Sequence, residues 1–450
     1  SFMELQQRSN RLANAMAERG VGRGDRVAFM QVNCNQAVEV YFATAQLDAI
    51  YVPINFRVKT EELEQMLGIS QPSLLFVGER YLSLIPSAMP SGGGSNGGIS
   101  PEQVIILDGD GSEGKENYNS LLAGASDDEM LFPEAQDDDT TVIMFTAGTT
   151  GVPKGVMLTH DSFSSFLLST VNPADPEIEE SNLLTVPLYH IAGLQAALAA
   201  VYGGRTLIIM RQFEPAEWMG LVQEHRADRA MLVPTMLKQL MDHPRFHDFD
   251  LSSLDVITYG AAPMPVEVIR RAIQEFPGAR FINAFGQTET ASTITMLPPE
   301  DHVMEGTPEE IEIKLNRLTS IGKPLEDVEV QIVDEDGTVV PRGEAGEIVA
   351  RGSRMMSGYW REDAATKEAI RSGWIYTGDL GYQDDDDYIF LSGRAKDFIK
   401  RGGEMVSPEE VERVLMSHPQ VDDAAVIGIP DEEWGEEVRA VVVSREGEVS

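Results

Sequence analysis

Residues 146–155 read TAGTTGVPKG and follow directly on the apolar run TTVIMF. Gly148, Gly151 and Gly155 let a backbone bend and come close to an anion. Thr146, Thr149 and Thr150 offer hydroxyl donors, and Lys154 adds a mobile positive charge. The pattern is not a Walker A loop, which needs Gly-Lys-Ser/Thr; here Lys154 follows Pro153 and precedes Gly155. The chemistry on offer is the grip of a phosphate, although a glycine-rich surface turn would use the same residues.

Further stretches follow in order: PLYHIAG (187–193), YGAAPMP (259–265), NAFGQTET (283–290), WIYTGDL (374–380) and LSGRAKDFIKRGGEMVSPEEVE (391–412). Their order and spacing resemble the acyl- and aryl-CoA synthetases of the adenylate-forming superfamily, which also holds luciferases and nonribosomal adenylation domains. The resemblance spans nearly the whole chain. It implies an ATP-dependent acid–CoA ligase in which a carboxylate attacks the α-phosphate of ATP and expels pyrophosphate. CoA thiol then turns the acyl-adenylate into acyl-CoA and AMP. An anion attacking an anion needs cations and donors placed in advance.

The resemblance also implies roles. The 146–155 loop, including Ala147, would grip the β/γ phosphates through Lys154. Thr288 would donate to the α-phosphate. Glu289, with Thr149, would hold Mg²⁺, for which a carboxylate is a suitable hard-oxygen ligand. Phe285, where many relatives have tyrosine, would stack on adenine. Gly260, Ala261, Ala262 and Pro263 would pass along the other purine face, with Asn283, Ala284, Gly286 and Gln287 beside them. Asp379 would accept hydrogen bonds from the ribose diol, and Arg394 would reach the same ribose or a phosphate. His190 would gate or orient at the junction of acyl pocket and thiol tunnel, and joins Thr288, Glu289 and Lys154 as the catalytic set.

A small C-terminal lid would swing about Lys396, so that one site serves both half-reactions. Arg401, Gly402, Gly403 and Glu404 would line the CoA tunnel. Ser407 then reads as a helix N-cap with Pro408 at the first helical position. Relatives of this kind carry a later Thr-Gly-Lys element whose lysine serves adenylation. The sequence reaches Ser450 without one, and the expectation is a chain that binds ATP and adenylates poorly.

The acyl pocket is expected at His190, Gly193, Leu194, Gln195, Met236, Leu237, Gly260, Ala284 and Ala291. These are mostly small or apolar, and no arginine falls among them to meet a second carboxylate. No acid follows Tyr189-His190 to hold an amino group. The substrate is therefore expected to be a fatty, alicyclic or aromatic acid. Three alternatives stay open: a module loading a carrier-protein thiol, a luciferase-like oxidative enzyme, and a non-catalytic nucleotide binder.

The elements that must position these residues show in the periodicity. Apolar runs bounded by turn residues, such as DRVAFM, IYVPIN, PSLLFV, QVIILD, SNLLTV, RTLIIM and RAMLVP, read as buried strands of a mostly parallel sheet, with helices between them. The expected class is α/β: doubly wound mixed α/β subdomains within a large N-terminal domain (1–395). From about 325 to 395 the texture turns β-rich, with Asp336-Gly337 as a hairpin signal. A small α+β lid (396–450) follows. SGGGSNGGIS (91–100) reads as a flexible loop and QDDDDYIF (383–390) as a hairpin tip.

The 450 residues are 42% hydrophobic and 24% charged, which suits a soluble globular chain of two or three domains. Acidic residues outnumber basic ones 73 to 35, a net charge of −38. That argues against nucleic acid, anionic lipid and an acidic carrier protein as partners. Any anionic ligand needs a local positive site. Cys34 is the single cysteine, so no disulfide forms within the chain. The polar start shows no signal peptide, and GLQAALAAVYGG is too short to cross a bilayer. The expectation is a cytoplasmic enzyme using ATP, Mg²⁺ and CoA, with homodimerisation open.

Overall fold

The computed structural model describes residues 1–85, 99–108, 116–130, 136–146, 152–394, 397–401, 404–416, 418, 420–431 and 434–444. Continuous apolar runs build its first sheet. β1 (Arg26–Met30), β2 (Ile50–Pro53), β3 (Leu74–Val77), β4 (Val104–Ile106) and β5 (Glu116–Asn117) run parallel. β6 (Thr140–Thr146) joins β2, and β7 (Lys154–Thr159) returns antiparallel along β6. β2 and β3 are buried at every residue, as strands covered on both faces must be.

The second sheet has β8 (Ser181–Leu184), β9 (Thr206–Ile209), β10 (Arg229–Leu232), β11 (Val256–Gly260) and β12 (Arg280–Gln287) in parallel, then β13 (Ser292–Leu297) and β14 (Lys323–Pro324) antiparallel at one edge. The expected mostly parallel sheet is therefore two sheets. Apolar runs alone carry no partner information, and β8 pairs with β9 and β10 instead of adding to the first sheet.

The β-rich stretch forms β15 (Glu329–Val333), β16 (Gly346–Arg351), β17 (Gly358–Tyr359), β18 (Ile370–Arg371), β19 (Trp374–Gln383) and β20 (Ile389–Arg394). The Asp336-Gly337 turn forms, with Gly337 at φ +79° and Val333 bridging Val339. The acidic run lies at the tip between β19 and β20, where Gln383 faces Ile389. One strand departs from expectation: β17 leaves the β-rich sheet and pairs with β7 of the first. The small C-terminal sheet holds β21 (Ile399–Arg401), β22 (Glu404–Val406), β23 (Val421–Asp431) and β24 (Gly435–Ser444).

Local signals explain the helices. Ser1 and Glu4 form a capping box that starts Phe2–Glu18, and Leu12, Ala13, Ala15 and Met16 make its buried stripe. Ser407 Oγ accepts from the Glu410 N–H at 3.3 Å and caps Pro408–Met416. The helix Ile191–Tyr202 lays Leu194, Ala197 and Leu198 into the same core as Val142, Met144 and Leu158 of the first sheet, which joins the two sheets through one apolar layer. Arg354 is fully buried. Its guanidinium pairs with Asp327 and donates to the Thr293 carbonyl and to Ser169 Oγ, so it ties the β-rich unit to β13 and to the end of the helix His160–Thr170. Among the described residues no helix is long and apolar enough to cross a membrane.

His302 is buried between Tyr259 and Phe281, with Nε2 2.9 Å from the Tyr259 hydroxyl. Burial lowers its pKa from 6.5 to about 4. A depressed folded-state pKa gives stability that is full above 6.5 and is lost progressively as pH falls from 6.5 to 4. Denaturant titration is expected to show about 2 kcal/mol lost between pH 7 and pH 5 from this group, and His302→Gln should flatten that slope. Equal slopes in the two proteins would rule His302 out as the cause.

Candidate active site

The Gly-Gln-Thr-Glu element sits where β12 ends. Thr288–Thr290 forms one 3₁₀ turn, and β13 leaves from it antiparallel. The Gln287 N–H donates to Thr290 Oγ1 at 3.0 Å, and Thr290 Oγ1 donates to the Ser292 carbonyl at 2.8 Å. Closing so tight a turn puts Ala291 at φ +46° and Ser292 at φ +97°. A Cβ on Gly286 would overlap the Ser292 carbonyl, and one on Gly260 would overlap the Ala284 carbonyl. Glycine is required at both positions by close backbone approach. Ala261, at φ +65°, adds a third strained alanine or serine beside the same cleft.

A cavity of about 490 Å³ opens here between the two large sheets. Of the expected residues, His190, Met236, Ala261, Ala262, Ala284, Gly286, Gln287 and Thr288 line it. The expected acyl pocket needs correction elsewhere. Leu194, Leu237 and Ala291 face apolar cores, and Gln195 is buried with its amide donating to the Ala291 carbonyl at 3.3 Å. Gly193 abuts the Pro187 carbonyl. Helical facing turns Leu194, Gln195 and Leu237 inward, away from the cavity. Gly260 serves the strand contact just described and is not a lining residue.

The cavity is also less apolar than expected. Arg57 and Arg211 line it, with Asn33 and Gln212. These arginines come from segments after β2 and after β9, outside the stretches searched for a cation. Neither has an acidic partner among the described residues; Arg57 stacks on Phe56 at 5.3 Å. His190 opens toward the cavity next to Tyr189, ring centroids 4.4 Å apart. The residue is open along the cavity, yet desolvation by the surrounding walls, and then the charge of Arg57, hold its pKa below the usual histidine value. The imidazole is thereby neutral near pH 7, able to accept a hydrogen bond or a proton.

Asp379 lies under the rim on β19. Its Oδ1 accepts from Arg394 Nε at 2.9 Å and its Oδ2 from Gln287 Nε2 at 2.6 Å. Gln287 Nε2 also donates to the Thr377 carbonyl at 2.9 Å, so one amide bolts the end of β12 to the Thr-Gly-Asp stretch of β19. The carboxyl is 5% exposed. Burial raises its pKa, and Arg394 and Gln287 oppose that shift. Arg394 itself is exposed. From the small C-terminal domain Glu409 approaches: burial, then the charge of Asp379, raises its pKa. Lys238 Nζ meets Asp422 of that domain at 3.0 Å from the helix Pro234–Met241.

Lys154 and Glu289, 135 positions apart in the chain, meet on one side chain. The Tyr359 hydroxyl donates to Glu289 Oε1 at 3.0 Å, and Lys154 Nζ stands 5.0 Å from the centre of its ring. Burial and the Glu289 charge push the phenol pKa up, so it stays a donor. Tyr359 falls within the stretch expected to form the β-rich unit and has no motif of its own. An aromatic in a two-residue strand gives no periodic signal.

Other expected residues stand apart from the cavity. Thr146 closes β6 opposite Lys154. Phe285 points away from Ala284 and Gly286 by strand alternation, and its half-buried ring joins apolar clusters with Ile321, Ile348 and Ile294. Asn283 donates to the Ser320 carbonyl at 3.3 Å. Pro263 is exposed in the turn after β11. Arg401 stacks over Trp434 at 4.6 Å, and Glu404 pairs with Arg401 through the backbone. Ala147, Gly148, Thr149, Thr150, Gly151, Lys396, Gly402 and Gly403 lie outside the described residues, as does most of the 91–100 loop.

Known proteins share both sequence and shape. The family described as AMP-binding enzyme matches residues 1–360, and AMP-binding enzyme C-terminal domain matches residues 410–450. A feruloyl-CoA synthase from Amycolatopsis is 34% identical over 99% of this chain and 84% of that protein. A long-chain fatty acid–CoA ligase from Mycobacterium tuberculosis is 32% identical over 100% of this chain and 84% of that protein. Among solved structures, the o-succinylbenzoate CoA synthetase from Bacillus subtilis with its acyl-adenylate intermediate aligns with TM-score 0.82 and 28% identity over 100% of this chain and 84% of that one. ATP-bound MatB from Rhodopseudomonas palustris aligns with TM-score 0.85 and 29% identity, again over 100% and 84%. With family models matching both parts and relatives of 30% identity or more over nearly its whole length, the chain belongs to the AMP-binding enzyme family, among its AMP-forming acid–thiol ligases.

Proposed function

We propose that this cleft activates a hydrophobic carboxylic acid with Mg²⁺–ATP and passes the acyl group to CoA. The observation that carries the reading is the junction at Gln287: its amide holds Asp379 while the next residue, Thr288, faces the cavity shared with His190 and Met236. The nucleotide end and the acyl end thus meet at one backbone turn. Asp379 would turn an oxygen to the ribose diol, and Thr288 would donate to the α-phosphate as charge shifts onto it. The loop 146–151, with Lys154, would hold the leaving pyrophosphate.

Glu289 suits a hard divalent cation. Its Oε2 has no protein partner among the described residues, and no cluster of three ligating side chains competes with it there. That is the arrangement for Mg²⁺ held by one carboxylate plus phosphate oxygens. The cation, when bound with ATP, would supply neutralisation of phosphate charge. His190, neutral at the mouth, would orient the incoming thiol. Arg57 and Arg211 give that mouth positive charge suited to an anionic co-substrate, and CoA carries phosphates. The walls Met231, Val233 and Met236 favour an apolar acyl group. Feruloyl and long-chain fatty acyl groups, named for the relatives, fall in this class. The boundary between catalytic body and lid is placed at 395/396, and a cytoplasmic location belongs to the same proposal.

The test supplies hydrophobic acyl-adenylates with CoA, and in parallel ATP with straight-chain, branched and aromatic acids. Acyl-CoA formation from at least one acid class is expected; AMP binding with no thioester from any adenylate would defeat the proposal. Asp379→Ala should weaken AMP binding about 10- to 100-fold by calorimetry, the range for hydrogen bonds to a charged group. The parent should lose affinity for 2′-deoxy-AMP and the variant should lose little more. A full further loss in the variant would separate Asp379 from the ribose. Arg57→Gln with Arg211→Gln should raise the KM for CoA about tenfold, the scale of one lost charge-assisted contact, with AMP affinity retained; an unchanged KM would count against the CoA assignment.

A further inference from the structure

Tyr359 touches both residues on which phosphate and cation binding rest, yet its own placement is fixed by backbone. Gly358 and Tyr359 pair with Met157 and Val156 of β7. The Trp360 N–H donates to the Gly155 carbonyl at 2.7 Å, and the Met356 N–H donates to the carbonyl of Glu289 at 2.8 Å. The Tyr359 N–H donates to Thr366 Oγ1 at 2.9 Å, and the Trp360 indole donates to the Ile69 carbonyl at 3.2 Å. Segment 356–360 is thus pinned to the phosphate-loop hairpin on one side and to the Gln-Thr-Glu turn on the other.

We propose that Tyr359 is a positioning residue that presents Glu289 to the divalent cation and Lys154 to the phosphates. Its hydroxyl occupies Oε1 of Glu289 and so fixes the carboxylate with Oε2 free for the cation. Outer-shell hydrogen bonds of this kind orient metal ligands and strengthen them. Its ring seats the Lys154 ammonium by cation–π attraction. An aromatic seat orders that cation without cancelling its charge, whereas an acidic partner would leave less for an incoming polyanion. In a chain of net charge −38, that choice of seat matters.

The proposal rests on the reading of Glu289 as the cation's carboxylate, and the test separates the two. Mn²⁺ serves as the probe, with ATP, and electron paramagnetic resonance distinguishes protein-bound Mn²⁺–ATP from the free complex. The parent should bind Mn²⁺ in an ATP-dependent way. Tyr359→Phe should bind Mn²⁺ about tenfold more weakly, the lower end for loss of an outer-shell partner, with ATP affinity restored at saturating Mn²⁺ because the ring remains. Tyr359→Leu should also lose ATP affinity that excess Mn²⁺ does not restore. Glu289→Gln combined with Tyr359→Phe should bind no more weakly than Glu289→Gln alone. Parental Mn²⁺ binding by Tyr359→Phe, or additive losses in the double variant, would overturn the proposal. Absence of ATP-dependent Mn²⁺ binding in the parent, or parental binding by Glu289→Gln, would overturn the reading of Glu289 itself.

Discussion

A polyanion has to be held by a chain whose own field repels it. With two acidic residues for every basic one, the cleft cannot draw on surrounding charge, and each cation in it is individually placed. Lys154 rests on an aromatic face. Arg394 is tethered to Asp379, itself held by Gln287. Arg57 and Arg211 stand in the cavity wall, with no acidic partner among the described residues. Elsewhere many arginines are absorbed into ion pairs, as Arg205 and Arg229 are on Glu180.

That placement depends on bringing distant segments to one spot. The two large sheets share an apolar layer through the helix Ile191–Tyr202. Arg354 locks the β-rich unit against β13 with no solvent access, an arrangement that is costly to break because it would strand a buried charge. β17 crosses from the β-rich unit to the first sheet and carries Tyr359 to the phosphate-loop hairpin. Each of these ties ends within a few residues of the Gln-Thr-Glu turn.

Much of this was legible in the sequence. Strand runs such as LLFV and VIMF, the Asp336-Gly337 turn and the Ser407 cap are local signals, and local physics produces them. The Gln-Thr-Glu and Thr-Gly-Asp elements were found because their residue types are tied to chemistry. What escaped notice was long-range. Strand pairing split one expected sheet into two. Helix facing moved Leu194 and Leu237 from pocket to core. Arg57, Arg211 and Tyr359 sit in stretches with no spacing rule of their own, and only the packing of remote segments makes them neighbours of the site.

The glycines of β11 and β12 have a wider implication. Gly260 and Gly286 let backbone press on backbone, so the ends of β11 and β12 beside the cavity are fixed largely by main chain. Met231, Val233, Met236 and Phe213 line the cavity with side chains. A main-chain wall offers mutation little to vary, whereas a side-chain wall can be reshaped one residue at a time. A scaffold divided in this way can change the acid it accepts while its handling of ATP stays put.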